Sequence, residues 1–167
     1  MKSRDWEVIH SSNRNDWQTP SGLFQELDAE FGFKLDAAAS DANALCESYF
    51  TKEENALSVR WFEQTSGPVW LNPPYGRGVG KWVEKAYRES LHGLIVVVLV
   101  FASTDTKWFH EYAMRAAEIR FIKGRVRFNH ADGIKAGPAP KGSCLLIFDP
   151  ESNGAAKFSS IKSGAGW

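Results

Sequence analysis

A chain of 167 residues with 43% apolar and 24% charged residues is long enough to bury one sizeable core, and its composition is neither collagenous, disordered nor disulfide-stapled. Twenty Lys plus Arg balance twenty Asp plus Glu, which excludes an overall basic coat for nucleic acid but not a local basic strip. Two distant cysteines, Cys46 and Cys144, form no metal-type pair, residues 1–5 lack the apolar core of a leader peptide, and the longest apolar run, residues 94–102, is too short to cross a bilayer, so a reducing cytoplasm with no membrane and no metal site is expected.

Residues 1–14 are polar and read as a mobile arm. After Asp16-Trp17-Gln18-Thr19-Pro20 the spacing of Leu23, Phe24, Leu27 and Phe31 predicts a helix from about Gly22, capped by Thr19 or Ser21 and ended by Gly32. Residues 33–36 predict a short strand with Asp36 at its carboxyl end. The small residues 37–41 follow, then a segment with helical character from about Ala42 to Cys46, and an acidic loop over 49–57. Val69, Trp70 and Leu71 read as a buried strand that Pro73 and Pro74 must end, since neither can donate to a ladder.

Residues 76–80 form a glycine-rich basic loop ahead of an amphipathic helix carrying Trp82, Val83, Ala86, Tyr87 and Leu91. The run 94–101 is β-branched and apolar on both faces, as a central parallel strand is. Residues 102–106 cap a helix bearing Trp108, Phe109, Tyr112 and Ala113. A strand over 118–122, an extended piece over 124–128, a Gly/Pro loop over 129–142 and a last strand over 143–148 complete the pattern. From Glu151 the Ser, Gly, Ala and Lys content predicts a disordered tail. Alternating strands and helices imply an α/β fold, with a mostly parallel central sheet flanked by helices. The domain spans 15–150, between the arm 1–14 and the tail 151–167.

The stretch Asn72-Pro73-Pro74-Tyr75 carries the chemistry. In open α/β sheets ligands bind at the carboxyl ends of strands, where Asn72 stands. The carbonyls of Asn72 and Pro73 are two acceptors suited to the hydrogens of a planar amine, and Tyr75 offers a ring to stack on it. An exocyclic amine on a base is a poor nucleophile because its lone pair is delocalised. Acceptors set out of the ring plane localise that pair and aim it at an electrophile, so positioning and electrostatics replace an ionised base.

In this setting the motif resembles that of the S-adenosyl-L-methionine (AdoMet) dependent amino-methyltransferases, and more closely the phage-type DNA N-6-adenine methyltransferases, the phage Dam family. The resemblance runs in one order through Asp16-Trp17-Gln18-Thr19-Pro20, Leu35-Asp36-Ala37-Ala38, Glu54-Asn55-Ala56-Leu57, Trp70 to Arg77, Lys81-Trp82, Lys85-Ala86-Tyr87, Thr104-Asp105-Thr106 with Trp108-Phe109, and Phe121 to Arg125. It implies a Rossmann-like class I methyltransferase fold, AdoMet as cofactor, DNA as partner, and the cytoplasm of a bacterial host.

By the same resemblance Asn72, Pro73, Pro74 and Tyr75 are catalytic and hold a flipped adenine. Trp17, Gln18, Thr19 and Pro20 match the segment at the cofactor's methionine end, with Asn72 beside them. Asp36 and Ala37 match the first-strand segment. Asp41, Glu54 and Asn55 are candidates for the ribose and adenine. The glycine-rich turn usual after the first strand of AdoMet enzymes is absent, and Ala37-Ala38-Ala39 stands in its place.

For DNA the candidates are Arg77 and Lys81 beside the catalytic turn, and Lys123, Arg125 and Arg127, with His130, Lys135 and Lys141, as a phosphate-binding strip. So little material for base readout implies short or relaxed sequence specificity. Two other readings stay open: an AdoMet enzyme that methylates an RNA base or a protein glutamine amide, and a DNA-binding module without catalysis. The oligomeric state is left between a monomer and a weak dimer.

Overall fold

The structure, a computed structural model, describes residues 17–129, 137–152 and 154–162. The expected arm 1–14 lies outside them, as do His130 and Lys135. One seven-stranded sheet forms the middle of the molecule. Its strands are β1 (Leu35–Asp36), β2 (Ser48–Tyr49), β3 (Val69–Leu71), β4 (Val96–Phe101), β5 (Glu118–Lys123), β6 (Ser143–Phe148) and β7 (Lys157–Lys162), in the order β2-β1-β3-β4-β6-β5-β7. The helices are α1 (Ser21–Phe31), α2 (Val79–Ser90) and α3 (Lys107–Glu111). This is the α/β, mostly parallel, Rossmann-like arrangement expected.

Strand β6 pairs antiparallel with both β4 and β5, while every other ladder is parallel. Six strands therefore share one direction, and their carboxyl ends share one edge of the sheet. The chain passes from β1 to β2 on one side and returns to β3 on the other, which makes the crevice between β1 and β3 a topological switch point, where open sheets bind ligands.

Alternation in β4 shows how the core is divided. Val96, Val98 and Val100 join the cluster under α2 and α3, with Val83, Ala86 and Phe109. Val97 and Leu99 join the cluster under α1, with Leu23, Phe24 and Leu27. Residues 96–100 are all buried on both faces, as a central strand requires. Cys46, half-buried, and Cys144, buried, are free cysteines, and burial pushes both thiols up to about 12, so both are protonated.

Three expectations are corrected. Helix α1 has Pro20 at its N-cap with no side-chain cap, because the Thr19 hydroxyl is engaged elsewhere; its stop at Gly32 holds, at φ 67°. Residues 42–46 form turns rather than a helix. The extended piece over 124–128 joins no strand of the sheet; Val126 accepts from Ala139 N–H, and the Gln18 to Asn129 bridge follows it. The tail is not wholly disordered. Lys157–Lys162 pairs with β5 along six residues and packs Ile161 on the core, an alternation masked by its small polar composition. No helix among the described residues is long and apolar enough to cross a membrane.

Candidate active site

Strand β3 is hydrogen-bonded on both sides and fully buried, and the two prolines stop it at once. Asn72 thus projects from a rigid strand end into the switch-point crevice. Its Nδ2 donates one hydrogen to the Trp17 carbonyl at 2.8 Å and one to Thr19 Oγ1 at 3.1 Å. Both amide hydrogens are spent, which fixes the orientation of the carboxamide. Oδ1 is left pointing away from them, buried and without a hydrogen-bond partner among the described residues. A buried acceptor without a donor is costly, and it marks a place built for one.

Two cavities flank this turn, with Trp17 in the wall of each. The first, of about 380 Å³, is lined by Asn72, Pro73 and Pro74, by 37–40 and Asn43 after β1, by 50–52, Asn55 and Ala56 after β2, and by Trp82 of α2. Its floor is woven between strands: Ala37 N–H donates to Trp70, Ala39 N–H to Phe50, and Phe50 N–H to Asp36. Asp36 holds the loop above it, its carboxylate accepting from Ala38 N–H at 3.3 Å and Leu45 N–H at 3.2 Å. Burial outweighs those two bonds and raises its pKa to about 6. Ala37 is fully buried in this weave, so the missing glycines leave an apolar wall rather than a gap.

The second cavity, of about 450 Å³, is lined by Tyr75, Gly76, Arg77, Val79, Phe101, Ser103, Trp108, Pro140 and Lys141. Tyr75 is buried, donates its hydroxyl to the Leu99 carbonyl at 3.4 Å and packs on Phe101 with centroids 4.3 Å apart. Burial pushes its phenol above the ordinary range, so it is a neutral wall group. Across the cavity, Trp108 sits close to helix α2 because residue 80 is glycine. A Cβ there would meet the Trp108 side chain at 3.0 to 3.2 Å. No carboxylate or imidazole lines either cavity among the described residues.

The sequence candidates divide accordingly. Asn72, Pro73, Pro74, Trp17, Ala37 and Asn55 meet at the first cavity, and Tyr75 and Arg77 at the second. Thr19 acts on Asn72, while Gln18 pairs with Asn129 in both directions and lines neither cavity, nor does Pro20. Asp41 accepts from the Tyr49 hydroxyl, and Glu54 from the Thr51 N–H and hydroxyl, so both carboxylates are tied into local turns outside the cavity lining.

Lys81, Lys123, Arg125 and Arg127 are exposed and line neither cavity; Arg125 also anchors the 137–140 segment by donating to Ala139 O at 3.0 Å. The sequence reading missed Phe50, Lys52 and Asn43, which only the parallel pairing of β2 brings to the site. Trp82, expected on the apolar stripe of its helix, both packs on the core and lines the first cavity. No group of acidic, histidine and cysteine side chains suited to a metal occurs among the described residues.

The family model described as DNA N-6-adenine-methyltransferase (Dam) matches residues 8–164. A protein of Escherichia phage T1 named DNA N-6-adenine-methyltransferase is 39% identical over 111 residues, covering 66% of this chain and 45% of that protein. One of Haemophilus phage HP1 with the same name is 30% identical over 156 residues, covering 91% of this chain and 86% of that protein. The chain thus spans under half the length of the phage T1 relative and most of the phage HP1 relative.

Proposed function

The chain belongs to the DNA N-6-adenine-methyltransferase (Dam) family, and from that premise we propose that it transfers a methyl group from AdoMet to the N6 amine of an adenine flipped out of DNA. The observation that carries the reading is the buried Oδ1 of Asn72, without a hydrogen-bond partner among the described residues, on a residue that lines the first cavity three positions before Tyr75 of the second. The first cavity suits a nucleoside cofactor: it is largely apolar, walled by Trp17, Phe50 and Trp82, with Ser40, Asn43, Thr51 and Asn55 to hydrogen-bond its polar edges. AdoMet supplies an electrophilic methyl group on a sulfonium when bound.

The protein's own part is to hold the amine. Asn72 Oδ1 and the Pro73 carbonyl accept its two hydrogens and draw the lone pair out of conjugation. Tyr75, Phe101 and Trp108 in the second cavity form the apolar walls that exclude water from the base. No carboxylate or imidazole stands in either wall among the described residues; in this reading the neutral amine attacks the methyl group, and the proton it then carries in excess is lost to solvent as the methylated base leaves the cavity. Arg77 and Lys141 at the second cavity suit the phosphates beside the flipped nucleotide.

The test is transfer of labelled methyl from AdoMet to unmethylated plasmid, with nucleoside analysis by mass spectrometry. N6-methyladenine is expected, and its loss in Asn72→Ala with the fold retained. Labelling of RNA or protein in place of DNA would overturn the substrate, and labelling of nothing would overturn the enzyme.

A further inference from the structure

The face of the sheet that α2 and α3 cover over its middle is exposed beyond Ile119, at the carboxyl end of β5 and along β7. Register places Phe158 beside Ile119, Ser160 beside Phe121, and Lys162 beside Lys123. These alternate residues share one face. Phe121 and Phe158 stack on each other there with planes 7° apart, yet are 38% and 58% exposed. The two ends of this ladder differ in charge. At the amino end Glu118 lies opposite Lys157, an opposite-charge pair. At the carboxyl end Lys123 lies opposite Lys162, both exposed, with no acidic partner for either among the described residues. Like charges set directly across a ladder are destabilising unless an anion lies against them.

The position of this pair relative to Asn72 follows from the same registers. Leu71 is level with Val98, Leu146, Ile119 and Phe158 across the sheet, so Lys123 and Lys162 stand about 10 Å further along the strand direction than Asn72 at about 3.3 Å per residue. Sideways they are three and four strands away, about 14 and 19 Å at about 4.8 Å per strand. Both lysines thus stand at the carboxyl ends of their strands, the ends at which the candidate site opens, and to one side of it.

We propose that Lys123 and Lys162 form a remote clamp on the DNA backbone, engaging phosphates about four to six base pairs to one side of the flipped adenine, since B-form DNA rises about 3.4 Å per pair. This rests on the reading of the site as a DNA adenine methyltransferase. The stacked phenylalanines give the clamp a fixed apolar bed beside the sugars, where mobile side chains would blur it. The last strand is then part of the substrate surface, and the length of duplex a substrate must have is set by the width of the sheet.

The experiment compares the wild-type chain with Lys123→Gln/Lys162→Gln on duplexes carrying one methylatable adenine, trimmed base pair by base pair on each side in turn. On long duplexes the variant is expected to bind about tenfold more weakly, and its plot of log affinity against log salt to be shallower by about 2, for two lost phosphate contacts. Trimming one side to about three base pairs should weaken the wild type to the level of the variant, and trimming the other side should leave their difference intact. A variant that matches the wild type on long duplexes overturns the clamp, as does a deficit that persists undiminished when both sides are trimmed. A wild-type chain that methylates no duplex overturns the reading of the site itself, and the two failures are thereby distinct.

Discussion

Thr19 Oγ1 accepts a hydrogen from Asn72 Nδ2 at 3.1 Å, across 53 residues of sequence. With the Trp17 carbonyl taking the other hydrogen, this bond decides which way the carboxamide faces and leaves Oδ1 without a donor among the described residues, as the proposed amine clamp requires. Thr19→Val removes the hydroxyl at nearly constant volume. The expected result is a kcat lower by about tenfold to a hundredfold with little change in KM for DNA, as for a contact felt mainly in the transition state. Thr19→Ser should keep most of the rate. A rise in KM alone would return Thr19 to a simple binding role.

Asn72→Asp replaces a donor with a carboxylate against the Trp17 carbonyl. That repulsion, with burial, raises the new group's pKa. Protonated, it again donates to Trp17 and accepts from the amine. Residual turnover by this variant should therefore rise as pH falls, while the Asn72 chain shows no such rise. A pH–rate profile for both chains checks it.

Asp36 binds its proton more tightly folded than unfolded, since its pKa moves from 3.8 to about 6 on burial. Its contribution to stability is fully present below the unfolded value and is lost as pH rises through the folded one. That loss amounts to about 3 kcal/mol between roughly pH 4 and 6. Asp36→Asn cannot ionise and should lack this decline, so the stability difference between the two chains should change with pH across that window and level off above it. Denaturant midpoints at several pH values measure this; parallel curves would count against a perturbed Asp36.

Gly80→Ala places a Cβ within 3.0 to 3.2 Å of Trp108. The ring must give way, and with it one wall of the second cavity. The fold should survive, because Trp108 is only half-buried, while the KM for DNA should rise by roughly tenfold through a poorly shaped cavity. Steady-state kinetics beside a melting curve separates the two effects.

Arg125 and Arg127 are expected to part company. Arg125 anchors Ala139 as well as offering charge, and no such contact exists for Arg127 among the described residues. Arg127→Gln should reduce the salt slope of DNA binding by about one with Tm unchanged. Arg125→Gln should also lower Tm. Equal melting of both variants would remove the anchoring role.

The legible parts of the fold were those with strong local signals. Val69 to Leu71 followed by two prolines could be little but a buried strand ending in a turn, and the β-branched run through Val100 could be little but a central strand. The stripe on α2 was equally plain, and its start at Val79 agrees with the glycine loop before it. What escaped depended on distant partners. Strand β7 takes its shape from β5, some forty residues earlier, and its small polar residues carry no strand signal of their own.

The carboxylates Asp41 and Glu54 were offered to the cofactor, yet each serves a neighbour within eight residues. For Glu54 the sequence held the clue: Thr51-Lys52-Glu53-Glu54 has the spacing of a capping box, in which an acidic side chain turns back on the threonine. The double engagement of the Asn72 amide could not be read at all, since it joins residues 53 and 55 positions apart.

That long reach has a consequence for how such motifs travel. Asn-Pro-Pro-Tyr cannot be cut out and grafted onto another strand end with the same Asn72 geometry, because that side chain is set by a carbonyl and a hydroxyl 55 and 53 residues earlier in the chain. The tetrapeptide is a lever whose fulcrum lies elsewhere. A designer wishing to transplant it must carry the Trp17 to Thr19 segment along, together with the pairing of Gln18 and Asn129 that pins that segment over the sheet.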